Sequence, residues 1–289
     1  MPRPFNPVEA VPLSAQDGHS FPRLVELMQR LLAEDGCPWD REQTLESLRK
    51  YTLEEACEVI DAIDSGDRGA LKGELGDLLL QVVFQAELGR KEGAFGPDDV
   101  VKAICDKLVR RHPHVFADVE VSGSDEVLTN WERIKASEGK REGGVLASVP
   151  RSLPALTRAR RIGEKVARVG FDWPDARGSR AKVTEEIGEL DAAIASGDER
   201  RIEEELGDAL FALVNLSRHV GIDPEGALRR TIDKFTKRFA HVEARVVEKH
   251  GGWPEPRLEG GGAKDERLTL EELDLYWDEA KAQSKTDGG

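Results

Sequence analysis

Acidic residues recur in this chain at spacings suited to metal chemistry. Glu55 and Glu58 lie one helical turn apart, as do Glu74 and Asp77, and the same spacing returns at Glu186 and Glu189 and at Glu205 and Asp208. On a helix advancing about 100° per residue, each pair shares a face. In both sets a short Ser-Gly-Asp turn, at Ser65-Gly66-Asp67 or Ser196-Gly197-Asp198, separates the first pair from the second. The helices carrying them are therefore predicted to run antiparallel and adjacent, bringing four carboxylates to one place. Like charges that close repel unless a cation lies among them. An all-oxygen donor set points to a hard divalent ion, Mg²⁺ or Mn²⁺. A ferritin-like di-iron site needs Glu-x-x-His, and neither set has the histidine. Gly76 and Gly207, between the paired acids, are expected to let the helices approach closely. A lone Glu-x-x-Glu is usually a solvated face. Here the second pair runs into Leu78, Leu79, Leu80, Val82, Val83 and Phe84, apolar nearly all round and so predicted to be buried.

The elements that must position these acids come from a tandem duplication. Residues 54–77 and 185–208 align without a gap at an offset of 131, with 12 of 24 positions identical. The match resumes at an offset of 127, where Asp106-Lys107, Arg111 and His114-Val115 meet Asp233-Lys234, Arg238 and His241-Val242. Trp131 and Lys135 pair with Trp277 and Lys281 at the end of each copy. Apolar residues recur near every 3.6 positions, and no run alternates over strand length. The fold is therefore read as all-α, two tandem helical-bundle domains. Helices are expected over 21–32, 45–64, 71–91, 100–112, 154–169, 179–195, 199–219, 224–249 and 269–283. The domain reading is a flexible tail at 1–20, a first domain at 21–135, a linker at 136–153, a second domain at 154–283 and a flexible tail at 284–289. Gly251 to Lys264 reads as a loop inside the second domain.

With 42 Lys+Arg against 56 Asp+Glu, the net charge is −14, which argues against direct nucleic-acid binding. No segment approaches the roughly 18 apolar residues of a membrane span, and the N-terminus lacks the basic and apolar regions of a secretory signal. Cys37, Cys57 and Cys105 form no CxxC pair, so neither a disulfide framework nor a zinc site is expected, and a cytoplasmic location is the default. No phosphate-loop motif or Ser-His-Asp arrangement is evident, which disfavours a P-loop or a covalent intermediate.

The EExxE and ExxD motifs in both halves, with CPWD at Cys37 to Asp40, NWERIK at Asn130 to Lys135 and VGFDW at Val169 to Trp173, resemble the MazG nucleoside triphosphate pyrophosphohydrolases over about Phe21 to Lys281. The resemblance implies an all-α enzyme that cuts nucleoside triphosphates, ATP included, to a monophosphate and pyrophosphate with Mg²⁺. It also implies a homodimer of helical domains. Carried over, the metal ligands are Glu186, Glu189, Glu205 and Asp208, which would also be the catalytic set, and Glu55, Glu58, Glu74 and Asp77 in the first copy. Glu54 and Glu185 would stand just behind them. The nucleotide-binding residues would be Lys182, Glu185, Arg201, Lys234, Arg238 and Trp277, with Lys107, Arg111 and Trp131 in the first copy. A triphosphate carries about four negative charges, which metal, Lys and Arg together must balance.

The copies differ in one respect. Tyr51 stands where Lys182 does and Ala70 where Arg201 does, with Lys50 and Arg68 as nearby substitutes. His112 and His114, beside the first basic pair, read as packed residues. Broad hydrolysis of nucleoside triphosphates is the leading expectation. A narrower deoxynucleotide or phosphoribosyl-ATP pyrophosphohydrolase and a non-catalytic nucleotide-sensing protein are the alternatives.

Overall fold

A computed structural model describes residues 21–137, 144–253 and 268–286. Every regular element among them is a helix. In order these are α1 (Phe21–Leu31), α2 (Pro38–Glu42), α3 (Arg49–Ser65), α4 (Arg68–Lys91), α5 (Pro97–Arg111), α6 (Pro113–Phe116), α7 (Ser124–Ser137), α8 (Ala155–Ala167), α9 (Ala176–Ser196), α10 (Glu199–His219), α11 (Pro224–His250) and α12 (Leu270–Thr286). The chain divides into two compact units at about residue 138. None of the described helices is long and apolar enough to cross a membrane. The expected tail at 1–20 and most of the expected loop at 251–264 lie outside the described residues.

Each unit is organised around one antiparallel hairpin, α3–α4 in the first and α9–α10 in the second. The same local chemistry makes both turns. Gly66 (φ 75°) and Gly197 (φ 68°) take the left-handed conformation that ends the first helix, which an L side chain adopts only with strain. Asp67 and Asp198 then cap the second helix, accepting from the backbone N–H groups of Gly69 and Ala70 and of Arg200 and Arg201. The Ser65 and Ser196 hydroxyls donate back to the Ala62 and Ala193 carbonyls.

The glycines singled out in the sequence are not at points of close approach. A Cβ added at Gly76 or Gly207 would meet nothing within 4 Å. The buried alanines of the hairpin helices are Ala62 and Ala86 in the first unit and Ala193, Ala209 and Ala212 in the second. Ala193 follows Glu186 by two helical turns and Ala209 follows Glu205 by about one, so these buried alanines and the acids share a face.

In the first unit α1 packs on α4, and Met28, Leu32, Leu48, Val83, Phe84 and Leu88 form its core. The burial expected for Leu78 to Phe84 holds on one side only. Val83 and Phe84 are enclosed, whereas Leu79 and Val82 are about two-fifths exposed, at 40% and 43%. In the second unit α8 packs across α10 and α11, and α12 lies along α11.

Polar contacts explain most of the differences from the expected boundaries. The second helix starts at Arg49 rather than Leu45 because Thr44 and Ser47 bond reciprocally, each side-chain oxygen accepting from the other's backbone N–H, and hold a separate turn. Helices α4 and α9 begin earlier than the apolar pattern suggested, at the Asp67 and Asp175 caps. At the far end α12 continues to Thr286, into the expected tail, and α7 reaches Ser137, into the expected linker. The short α2 and α6 carry too few apolar residues for periodicity to reveal them.

Glu87 and Arg218 stand at equivalent places in the two copies and bury charges of opposite sign. Glu87 is fully enclosed, accepting from Gln29 Nε2 (3.2 Å) and Arg90 Nη2 (2.6 Å). Burial pushes its carboxyl above the usual range, although Gln29 and Arg90 oppose the rise. Arg218 instead reaches back to Asp172 of the VGFDW segment, its Nη1 donating to Oδ2 at 2.8 Å. The Trp173 ring next to Asp172 sits where a side chain on Gly178 would be, so this segment pins the start of α9. In the first unit Trp39 of the CPWD segment meets Tyr51 at the start of α3 edge-on, centroids 5.8 Å apart.

The Arg218 hydrogen bonds, with lesser help from the charges of Arg218 and His219, hold the Asp172 carboxyl below its ordinary range. A carboxyl depressed in the folded state adds stability that is present above its unfolded pKa of about 4 and lost as pH falls through the folded value. Asp172→Asn is therefore expected to lower the melting temperature at pH 7 by about 3 °C. The deficit should shrink between about pH 4 and pH 2, as thermal denaturation across that range will show. A deficit independent of pH would contradict the assignment.

Candidate active site

The α9–α10 hairpin gathers its acids into two overlapping clusters. Glu186, Glu205 and Asp208 offer carboxylate oxygens within 4.8 Å of one another, and so do Glu185, Glu186 and Glu189. Glu186 belongs to both and is the one buried member, only 4% exposed. Its Oε1 accepts from Lys182 Nζ at 2.6 Å, while its Oε2 is buried with no hydrogen-bond partner. A buried carboxylate oxygen left unsatisfied is costly, and a bound cation would satisfy it. All four acids expected to hold metal in this copy are therefore brought together, with Glu185 added.

The electrostatics agree with crowding. The Glu189 carboxyl is pushed up by desolvation first and then by the charges of Glu186 and Glu205, with Lys182 opposing. Lys182 donates to Glu185 at 2.7 Å as well as to Glu186, and these two bonds raise its own pKa. In the free protein the ammonium expected to face phosphate neutralises these acids. Arg201 is exposed, and its backbone N–H bonds the Asp198 cap.

The first unit repeats the arrangement with less. Glu55, Glu58 and Glu74 come within 4.8 Å of one another. Asp77 is not in this cluster, although its charge, after burial and Glu58, helps to raise the Glu55 carboxyl. The Lys182 position is filled by Tyr51, whose ring meets Trp39 and carries Lys50 Nζ at 4.6 Å. Lys50, the expected substitute, is thus engaged with an aromatic face.

The remaining expected nucleotide-binding residues sit on other helices and recur as matching pairs. The Arg238 guanidinium lies over the Trp277 ring at 5.9 Å, joining α11 to α12, and Arg111 lies over Trp131 at 5.2 Å, joining α5 to α7. Among the described residues neither Lys234 nor Arg238 makes an ion pair, and Arg238 Nε is buried without a hydrogen-bond partner. No hydrogen bond or ion pair joins these two residues to the carboxylates. Lys107, half-buried on α5, has none to its own cluster. His112 and His114 pack against each other, ring centroids 5.7 Å apart, and His112 Nδ1 meets the Leu108 carbonyl. Phe235, which packs on Trp277, and Phe239, which packs on Phe235, were not among the expected residues, although an aromatic pair at i, i+4 next to the basic pair at Lys234 and Arg238 was a usable signal.

The MazG nucleotide pyrophosphohydrolase domain family matches residues 43–116 and again 177–243, and so recognises both halves of the duplication. A Thermotoga maritima protein described as nucleoside triphosphate pyrophosphohydrolase/pyrophosphatase MazG is 44% identical over 270 residues, 93% of this chain and 98% of the relative. The Escherichia coli K12 nucleoside triphosphate pyrophosphohydrolase is 48% identical over 266 residues, 90% of this chain and 97% of the relative.

Repulsion within the α9–α10 cluster leads to a measurable consequence. Glu189→Gln removes one of the crowded charges, so the variant is expected to melt higher than the wild type when both are free of metal. Millimolar Mg²⁺ should raise the wild-type melting temperature and raise that of the variant much less. A variant that melts lower without metal, or gains as much from Mg²⁺, would contradict the assignment.

Proposed function

This chain belongs to the MazG nucleotide pyrophosphohydrolase family, and we propose that it hydrolyses nucleoside triphosphates, with little regard to the base, to a nucleoside monophosphate and pyrophosphate. The observation that carries this reading is the pair of carboxylate clusters meeting at the buried, half-satisfied Glu186. In the second copy Glu186, Glu189, Glu205 and Asp208 would hold Mg²⁺ or Mn²⁺, with Glu185 beside them. A bound divalent ion supplies charge neutralisation at the phosphates and lowers the pKa of a coordinated water.

The chain's own residues have separate tasks. The α9–α10 turn holds the acids at a fixed spacing, so the site is organised before substrate arrives. Lys182 balances Glu185 and Glu186 in the free protein, and the same ammonium, one turn from the cluster, is available to a phosphate once a cation takes over that neutralisation. Lys234 and Arg238, without carboxylate partners in an acidic chain, suit the polyphosphate. Trp277, already beneath Arg238, offers a ring face to the nucleoside.

The same logic assigns most of the hydrolysis to the second copy. The first has a smaller carboxylate cluster and, at the lysine position, a tyrosine packed on Trp39. Glu189→Gln or Asp208→Asn should lower pyrophosphate release at least about a hundredfold at saturating Mg²⁺. Glu58→Gln should retain most of it. The reverse pattern would move the active site to the first copy, and equal partial losses would mean two working sites.

A homodimer is part of the proposal. Leu206, Leu210 and Leu213 on α10 and Ile187 and Ile194 on α9 are each between 43% and 56% exposed, an apolar face beside the carboxylates that a second copy would cover. Light scattering of the full chain at micromolar concentration is expected to give twice the 31.9 kDa chain mass. A monomer would count against it.

A further inference from the structure

Helix α12 is tied to α11 through the residues on either side of Trp277. Before it, Tyr276 Oη lies 3.2 Å from His250 Nε2, and the Arg245 guanidinium lies over the Tyr276 ring at 5.6 Å. After it, Glu279 Oε2 stands 3.0 Å from Arg245 Nε and 3.3 Å from His241 Nε2. Tyr276 and Glu279 are three residues apart and so share a face of α12. Arg245 meets both and is the common tie. Its guanidinium is steered from its own helix by Glu248, one turn on, with which Nη1 also pairs.

The first copy lacks this tie, and its sequence shows why. Pro113 stands where Ala240 does, and α5 ends at Arg111 whereas α11 runs unbroken to His250. His114, the counterpart of His241, therefore falls on the separate α6, and Asp118, the counterpart of Arg245, lies beyond both helices. Arg133 stands where Glu279 does, two residues after the matched tryptophan, so the charges of the pair are reversed. Among the described residues Asp118 and Arg133 form no ion pair, and Arg133 Nη1 donates to Asn130 Oδ1 at 3.0 Å instead. The tie is thus confined to the copy to which the hydrolysis is assigned.

Its strength is too small for a stability device. The Glu279 side chain is 43% exposed, and contacts between partly exposed charges add little to global stability. What they fix is the rotation and register of α12. With Tyr276 and Glu279 both held, Trp277 projects about 100° around the helix from Tyr276. That direction brings its ring to Phe235, at 4.9 Å between centroids, and under Arg238.

We infer that Arg245 and Glu279 are positioning residues for the second copy: by locking α12 onto α11 they hold Trp277 at the place where it meets the nucleotide. This inference rests on the proposed triphosphate hydrolysis and on the role given there to Trp277. The pair acts on substrate binding through that ring and leaves the carboxylate cluster on α9 and α10 untouched.

The test reverses the two charges one at a time and then together. In the full chain, Arg245→Glu and Glu279→Arg should each raise the KM for ATP about fivefold, with kcat within about twofold of wild type and the melting temperature lowered by no more than about 3 °C. The double variant, which exchanges the charges as in the first copy, should have a KM closer to wild type than either single variant. Glu279→Gln keeps the size of the side chain and should raise the KM about threefold with kcat unchanged, so it decides the matter if a reversal variant does not fold. Three results would overturn the inference: an unaltered KM in the single variants, a fall in kcat as large as the rise in KM, or a double variant carrying the summed loss of both singles. Should the wild type release no pyrophosphate at all, the proposed function fails. Calorimetric binding of ATP to the same variants then decides the tie by itself. Affinity lost in the single variants and regained in the double one supports it, and equal affinities or no binding reject it.

Discussion

Repulsion among carboxylates held at fixed spacing is the constraint on which this structure turns. Two helices joined by a tight Ser-Gly-Asp turn cannot drift apart, and the acids at their facing turns cannot escape one another. In the second copy Lys182 relieves part of that strain by bonding Glu185 and Glu186, and one oxygen of Glu186 still has no partner. Such a site is poised for a cation, because a divalent ion removes repulsion and satisfies a buried polar atom in one step.

The surrounding elements serve to keep that hairpin rigid. Ala193 and Ala209 are buried on the faces of α9 and α10 that carry the acids. The VGFDW segment fixes the hairpin at its two far ends, Trp173 against Gly178 at the start of α9 and Asp172 against Arg218 at the end of α10. The first unit solves the same problem with different residues, Trp39 on Tyr51 and Glu87 between Gln29 and Arg90. After duplication the copies kept the paired acids on one hairpin, with a smaller cluster in the first, and diverged in what holds it. Where the second copy put a lysine to balance the acids, the first put an aromatic ring to fasten the helix.

Much of this was legible in the sequence because duplication exposes which positions a fold cannot change. The acids, the turns and the long helices recur at a fixed offset, and the structure builds the same hairpin from both, with Asp77 left outside the first carboxylate cluster. What the sequence concealed depends on contacts between distant segments. No local pattern reveals that Arg218 meets Asp172 or that Glu87 is enclosed. The glycines between the paired acids suggested close packing by their position alone, but a side chain on either would meet nothing within 4 Å, and the buried alanines stand at other positions. The boundary at Arg49 follows from the separate Thr44–Ser47 turn and those at Arg68 and Ala176 from carboxylate caps, which apolar periodicity does not register. The single-sided burial of Leu78 to Phe84 has the same origin. A hydrophobic run reports that a surface must be covered, without saying whether the same chain covers it.

The central claim is that the second copy's carboxylates form a cation site centred on Glu186. Titration of the full chain with Mn²⁺, following the loss of the free-ion signal by electron paramagnetic resonance, tests it without depending on turnover or on the identity of the nucleotide. The account predicts saturable binding in the wild type that is severely weakened by Glu186→Gln. The first copy should account for whatever binding the variant keeps, and that remainder should disappear when Glu58→Gln is added. Binding of unchanged stoichiometry and affinity in Glu186→Gln would contradict the account.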